Sequence, residues 1–190
     1  MAGLVSGGTP GRLALVAAVI VAVAAAAVIA VGCSECPRPL DPAALRWLNR
    51  DCNVGERARA EAALRSAGER AESTLIWAFG QGPSAERFDE IAVAVGSEYD
   101  EVAEALNAGL TYGLSAAEIA SIRAVTRAEY VRSARDEFDR GYRAAALAGL
   151  GVLALPRGLA LLRSLSADPN SPDRVIAVRA LHVASRPAQP

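Results

Sequence analysis

The 190-residue chain has no lysine; all twenty of its basic residues are arginine. A phosphate loop that closes on a lysine is therefore excluded, and the glycine-rich stretch Gly80-Gln81-Gly82-Pro83 reads as a turn. Arginine as sole cation suits planar recognition of carboxylate or phosphate. A genome-wide bias against lysine codons accounts for it more simply. Histidine is also nearly missing: His182 stands alone, so no histidine pair exists to hold a metal. A single histidine on a terminal helix reads as a surface residue rather than a catalyst. No serine or cysteine sits in the context of an activated nucleophile. Aromatic residues are only 5% of the chain, and no alternating strand pattern persists. The net charge of −1 removes any global pull toward nucleic acid. No cofactor or small-molecule site is expected.

Alanine supplies about a fifth of the residues, a composition that favours helix. The charges are unevenly placed. Residues 84–118 hold eight acids and one arginine, whereas residues 119–190 hold eleven arginines and six acids. Such asymmetry marks either a partner surface or adjacent helices that complement each other. The acidic set Glu98, Asp100, Glu101 and Glu104 lacks the glycine and spacing of a calcium loop and reads as a solvated helix face. An enzymatic alternative, a lyase-like or accessory module, would need acids near 97–104 and 136–139 to converge in one cleft.

Residues Leu13 to Val31 carry no polar side chain. As a helix at ~1.5 Å per residue they reach roughly 28 Å, close to the hydrocarbon thickness of a bilayer. Residues 13–32 are therefore expected to meet a membrane, after a tail at 1–12. The length favours a retained single-pass anchor over a cleaved signal peptide. The flanking arginines do not orient it strongly, and a short tail before a first apolar segment suggests an exported C-terminal domain. Ala30-Val31-Gly32-Cys33 resembles a bacterial lipobox, departing from it at Ala30, where leucine is usual. That resemblance implies lipidation at Cys33 and an envelope lipoprotein as the alternative fate.

The other cysteines are Cys36 and Cys52. Cys33-Ser34-Glu35-Cys36 has the CxxC spacing, but Pro37 follows where haem attachment needs histidine, and no second pair exists for a metal. If Cys33 carries lipid, Cys36 and Cys52 remain as a pair, and a disulfide between them would contribute about 2–4 kcal/mol. Residues 33–40 form a proline-stiffened spacer.

Helical signals fill residues 41–186. Asp41-Pro42 is an N-cap with proline at the first helical position. Glu56 to Ala67 is a helical run stopped by Gly68. Ala71 to Phe79 is another, and Ser84 caps a third. Gly96-Ser97 is expected to end that helix and begin the next. Ser115 and Glu118 form a capping box that should start a long helix. Asp136 with Arg140, and Asp139 with Arg143, are spaced to pair on its solvent side. Ala144 to Leu155 is too short to span a bilayer and reads as buried. Trp47 and Trp77 read as packing residues, with a membrane-interface position open to Trp47.

The C-terminal third resembles a bacterial HEAT-like repeat. The stretch runs from Tyr142-Arg143-Ala144-Ala145-Ala146-Leu147 through Pro156-Arg157 and Leu161-Leu162 to Asp168-Pro169. A second repeat would start at Asp173-Arg174, 34 residues after Asp139-Arg140. Arg57 to Phe79 is a weaker echo, and residues 84–135 do not fit. The helical signals read all-α, and the resemblance implies that they form a short helical-repeat stack, placed behind the one N-terminal transmembrane helix expected from residues 13–32. It also implies a non-catalytic scaffold that binds another protein. Residues 187–190 form a tail.

Overall fold

The computed structural model describes residues 40–49 and 54–186. The anchor segment 13–32, Cys33, Cys36, Cys52, all of the spacer but Leu40, and the tail 187–190 lie outside the described residues. Those described residues form eight helices and no strand: α1 (Pro42–Leu48), α2 (Val54–Ala67), α3 (Glu69–Gln81), α4 (Ala85–Asn107), α5 (Ala116–Ala124), α6 (Arg127–Leu153), α7 (Pro156–Ala167) and α8 (Arg174–Ala184). The fold is all-α. None of these helices is long and apolar enough to cross a membrane.

The chain divides into two compact units. The insert unit is residues 89–135; the core unit holds the described residues on either side of it. The division falls inside α4 and α6.

In the core unit Asp41 caps α1, accepting from the backbone N–H groups of Ala43 and Ala44 at 2.9 and 3.2 Å. Its own N–H donates to Thr74 Oγ1 on α3 at 3.0 Å. The cap thus fixes α1 to α3 as well as starting it. Gly68, at φ +57, turns α2 into α3, a geometry that other residues adopt only with strain. The core is built on Trp47, Leu64, Leu75, Leu147, Leu150 and Leu162, all fully buried. Each contributes about 1.5–3 kcal/mol of apolar burial.

Two glycines let α6 come close to its neighbours. The Trp47 indole N–H donates to the Ala145 carbonyl at 2.7 Å. A methyl group on Gly149 would lie 2.7 Å from that indole nitrogen, so a larger residue would push Trp47 out. On Gly151 it would lie 2.9 Å from the Ala180 Cα of α8, against backbone that cannot swing aside. The apolar stretch near Ala144–Leu155 is buried as expected, Ala146, Leu147, Leu150 and Val152 facing the core. Trp47 is wholly enclosed in protein, which removes it from any bilayer interface.

The start of α7 has no cap of its own, because Leu155 has no side-chain acceptor. Glu72 supplies one from α3. Its carboxylate is buried and accepts from the Gly158 N–H at 2.7 Å. A negative group at a helix N-terminus satisfies an orphan donor and meets the positive end of the dipole. Arg157 reaches back to Ser73 Oγ at 3.1 Å, closing the same junction.

Three expectations are corrected. Gly96 and Ser97 do not break the chain; α4 runs through them to Asn107. The bare Gly96 backbone seats the Arg127 guanidinium, whose Cζ would be 2.8 Å from any added Cβ. The Ser115–Glu118 capping box is present, but the helix it starts is short and ends at Ala124. A second box then begins α6: Thr126 N–H and Oγ1 bond to Glu129 Oε2 at 2.9 and 2.7 Å, and Glu129 N–H returns to Thr126 Oγ1. Finally, the Asp139–Arg143 pair is not on a solvent-facing side. It is partly buried at 2.9 Å, and Arg143 also donates to the Phe79 carbonyl at 2.6 Å. This clamp lies against Gly82 (φ +74), where the chain turns between α3 and α4.

Candidate interaction surfaces

The acidic positions named in the sequence have different surroundings. In the insert unit Asp100 accepts from Arg127 Nε at 3.1 Å. Glu98 is half-buried, and its Oε2 has no hydrogen-bond partner. Burial, and then the Glu101 carboxylate, push the Glu98 carboxyl above its ordinary range. Tyr130 lies nearby, its ring 5.7 Å from that of Tyr99. Burial, then the charge of Glu98, push its phenol up to about 12. Both shifts favour the uncharged forms, the response of polar groups to desolvation.

Glu101 and Glu104 are exposed on α4. In the core unit Asp139 is held by Arg143, while Asp136 and Glu137 face solvent. The two acidic groups of the lyase-like alternative thus fall in different units. The described residues contain no cluster of His, Cys, Asp and Glu able to hold a metal. His182 is exposed on α8, its Nε2 3.2 Å from Arg186 Nη2.

The exposed apolar side chains are more informative. Among the described residues the large ones are Val93, Leu110, Tyr112, Val125, Val175, Val178 and Val183. Four belong to the insert unit and three to α8. On α8 one face, Ala177 and Ala180, is buried against the core unit. The other shows Val175, 61% exposed, and Val178, 51% exposed, among Arg174, Arg179 and Arg186. A helix at the edge of a soluble fold ordinarily turns a polar face to water. Here the outward face sets exposed valines among arginines, and residues 174–186 contain no acid.

The α4 face of the insert unit shows the opposite charge. Asp89, Val93, Ser97, Asp100 and Glu104 are exposed on α4 at helical spacing. α4 ends in a Schellman motif: Gly109, at φ +84, donates to Leu106 O at 3.2 Å, and Leu110 N–H donates to Ala105 O at 3.0 Å. A tight turn follows, with Leu114 N–H donating to Thr111 O at 2.8 Å. Its central residues, Tyr112 at φ +49 and Gly113 at φ +77, both have positive φ, as a type I′ turn requires. Tyrosine at such a position costs about 1–2 kcal/mol, and this one is 75% exposed.

Sequence reasoning noted the charge asymmetry and missed these faces. The signal for α8 was present in Arg174-Val175-Ile176-Ala177-Val178-Arg179-Ala180-Leu181, which has apolar residues on every side. Comparison of the chain with protein-family models, with curated proteins and with solved structures gives no match.

Proposed function

We propose that the chain is a membrane-tethered helical scaffold that binds another protein and performs no catalysis. Residues 13–32 anchor it, with the domain that follows exported. The helices from Asp139 onward act as a short HEAT-like stack. The observation that carries this reading is α8, which offers an uncovered ridge of valine and arginine opposite its core face. In stacked helical repeats each helix pair buries its apolar face against the next, so an edge dressed this way suits a partner's helix. The hairpin of α2 and α3, which matches the weaker echo, supports the same architecture.

Photo-crosslinking in intact membranes tests it. A crosslinker at Val178 is expected to give a discrete protein adduct, and one at the exposed Glu137 is not. No adduct from Val178 or from Tyr112 would overturn the scaffold reading. Intact mass of the membrane-extracted chain tests the anchor separately. Full length is expected; the mass of a chain beginning at a lipidated Cys33 would make it an envelope lipoprotein instead.

A further inference from the structure

We propose that the partner is a second copy of this chain, with the insert unit of one molecule docking on α8 of another. The inference rests on the scaffold reading and narrows it. Two observations carry it. The exposed large apolar side chains among the described residues belong either to the insert unit, on α4, the turn after it and the α5–α6 junction, or to α8. The α4 face of the insert unit and α8 have opposite charge. α8 presents Arg174, Arg179 and Arg186 without an acid, and α4 presents Asp89, Glu101 and Glu104 around Val93.

Charge decides the pairing. α8 against a second α8 would set arginine against arginine, and the acidic face of α4 against its copy would set carboxylate against carboxylate. Like charges brought together across an interface are disfavoured, and opposite ones fix the register. Self-association therefore joins unlike surfaces. Such a heterologous contact closes into a ring or runs on as a filament. The turn at the end of α4 supplies an anchor: Leu110 and Tyr112 stand out from it, and tyrosine is enriched among the side chains that dominate interfaces. Asparagine or glycine would hold this turn without strain. Tyrosine there places a large amphipathic side chain where a partner reaches it.

The test is sedimentation of the full chain in uncharged detergent at low and high salt. The wild-type chain is expected to self-associate, more weakly at high salt. Arg179→Glu with Arg186→Glu should weaken self-association at least about tenfold, and Glu104→Arg with Glu101→Arg likewise. Each set lies on exposed positions, Arg186 just past the end of α8, and unchanged helical circular dichroism will show that the variants fold. Mixing the two sets in equal amounts should restore association, because each then meets its complement. Tyr112→Ser should weaken it without altering the salt dependence.

A wild-type chain that stays monomeric at all concentrations overturns the proposal. So does association that neither reversal changes, which would place the contact in the apolar segment. The scaffold reading fails separately. A Val178 adduct with the mass of one chain plus a different protein refutes self-association and leaves the scaffold standing.

Discussion

The two units of this protein are held together in different ways. The core unit buries a continuous cluster from Ala44 and Trp47 through Leu64 and Leu75 to Leu150, Leu162 and Ala180. In the insert unit only Val95 and Leu106 are buried large apolar side chains, and α5 buries none of its residues. Polar contacts to backbone take over there. Tyr99 Oη donates to Val125 O at 2.8 Å, Arg123 Nη2 to Leu106 O at 3.0 Å, and Arg127 bridges Asp100 while resting on Gly96. Net hydrogen bonds of this kind contribute about 1 kcal/mol each, whereas a buried leucine contributes two or three times as much. The insert unit should therefore open locally well before the core unit does. It also carries four of the seven exposed large apolar side chains among the described residues.

The contrast is tested most severely at Trp47. Trp47→Ala removes the largest fully buried side chain and leaves the Ala145 carbonyl without its indole donor. A loss of about 3–5 kcal/mol is expected in urea unfolding followed by far-UV circular dichroism. A loss below about 1 kcal/mol would mean that the core unit is no better packed than the insert.

A smaller effect is expected at Gly151. Gly151→Ala drives a methyl group into the Ala180 backbone, and the overpacking should cost about 1–3 kcal/mol even though alanine is the better helix former. Gly80→Ala, on a glycine with open space around it, is the matched control and should be neutral or slightly stabilising. Equal losses at both positions would refute the close approach of α6 and α8.

In the insert unit the corresponding lever is a cap. Thr126→Ala breaks the box that begins α6. An N-cap of this kind is worth about 1 kcal/mol. Amide exchange near residues 126–130 should quicken about fivefold, the fold-change that such a loss implies, while amides around Leu147 and Leu150 keep their rates. Equal quickening in both regions would show that the units open as one.

The helical class, the start of α1 at Asp41-Pro42, the turn at Gly68 and the Ser115 box were legible because each is a local rule acting within a few residues. The insert unit occupies most of residues 84–135, the stretch that the repeat resemblance leaves out. What escaped depends on distant partners. Gly96-Ser97 has the composition of a helix end, yet α4 runs on through it, and its bare backbone seats Arg127 from a distant part of the chain. Thr126 and Glu129 obey the same rule as Ser115 and Glu118, but Val125 hid the break by continuing an apolar pattern. Glu72 looks like a surface residue in Ala71-Glu72-Ser73-Thr74; its partner, the Gly158 N–H, lies 86 positions away. The two faces of α8 were hidden in another way. Apolar periodicity identifies a helix without saying which face is covered.

The smallest effect comes from Glu98, and its sign is opposite to that of Glu129. Glu129 is held below its ordinary range by its side-chain and then its backbone hydrogen bond with Thr126. Its contribution is present above pH 4.5 and is lost as pH falls through its lower folded value. Glu98 is raised, so its ionised form is the one that the fold disfavours. Its penalty is complete above the folded value, shrinks as pH falls through that value, and is gone below the unfolded value of 4.5. Glu98→Gln should therefore stabilise the insert unit at about pH 7, by well under about 1 kcal/mol because solvent still reaches the carboxyl. The difference between variant and wild type should disappear as pH falls to 4.5. Near-UV circular dichroism of Tyr99 and Tyr130 under urea at both pH values reads it. A variant that is less stable than wild type near neutrality would mean that Glu98 has a donor in the folded chain and that its buried oxygen is satisfied.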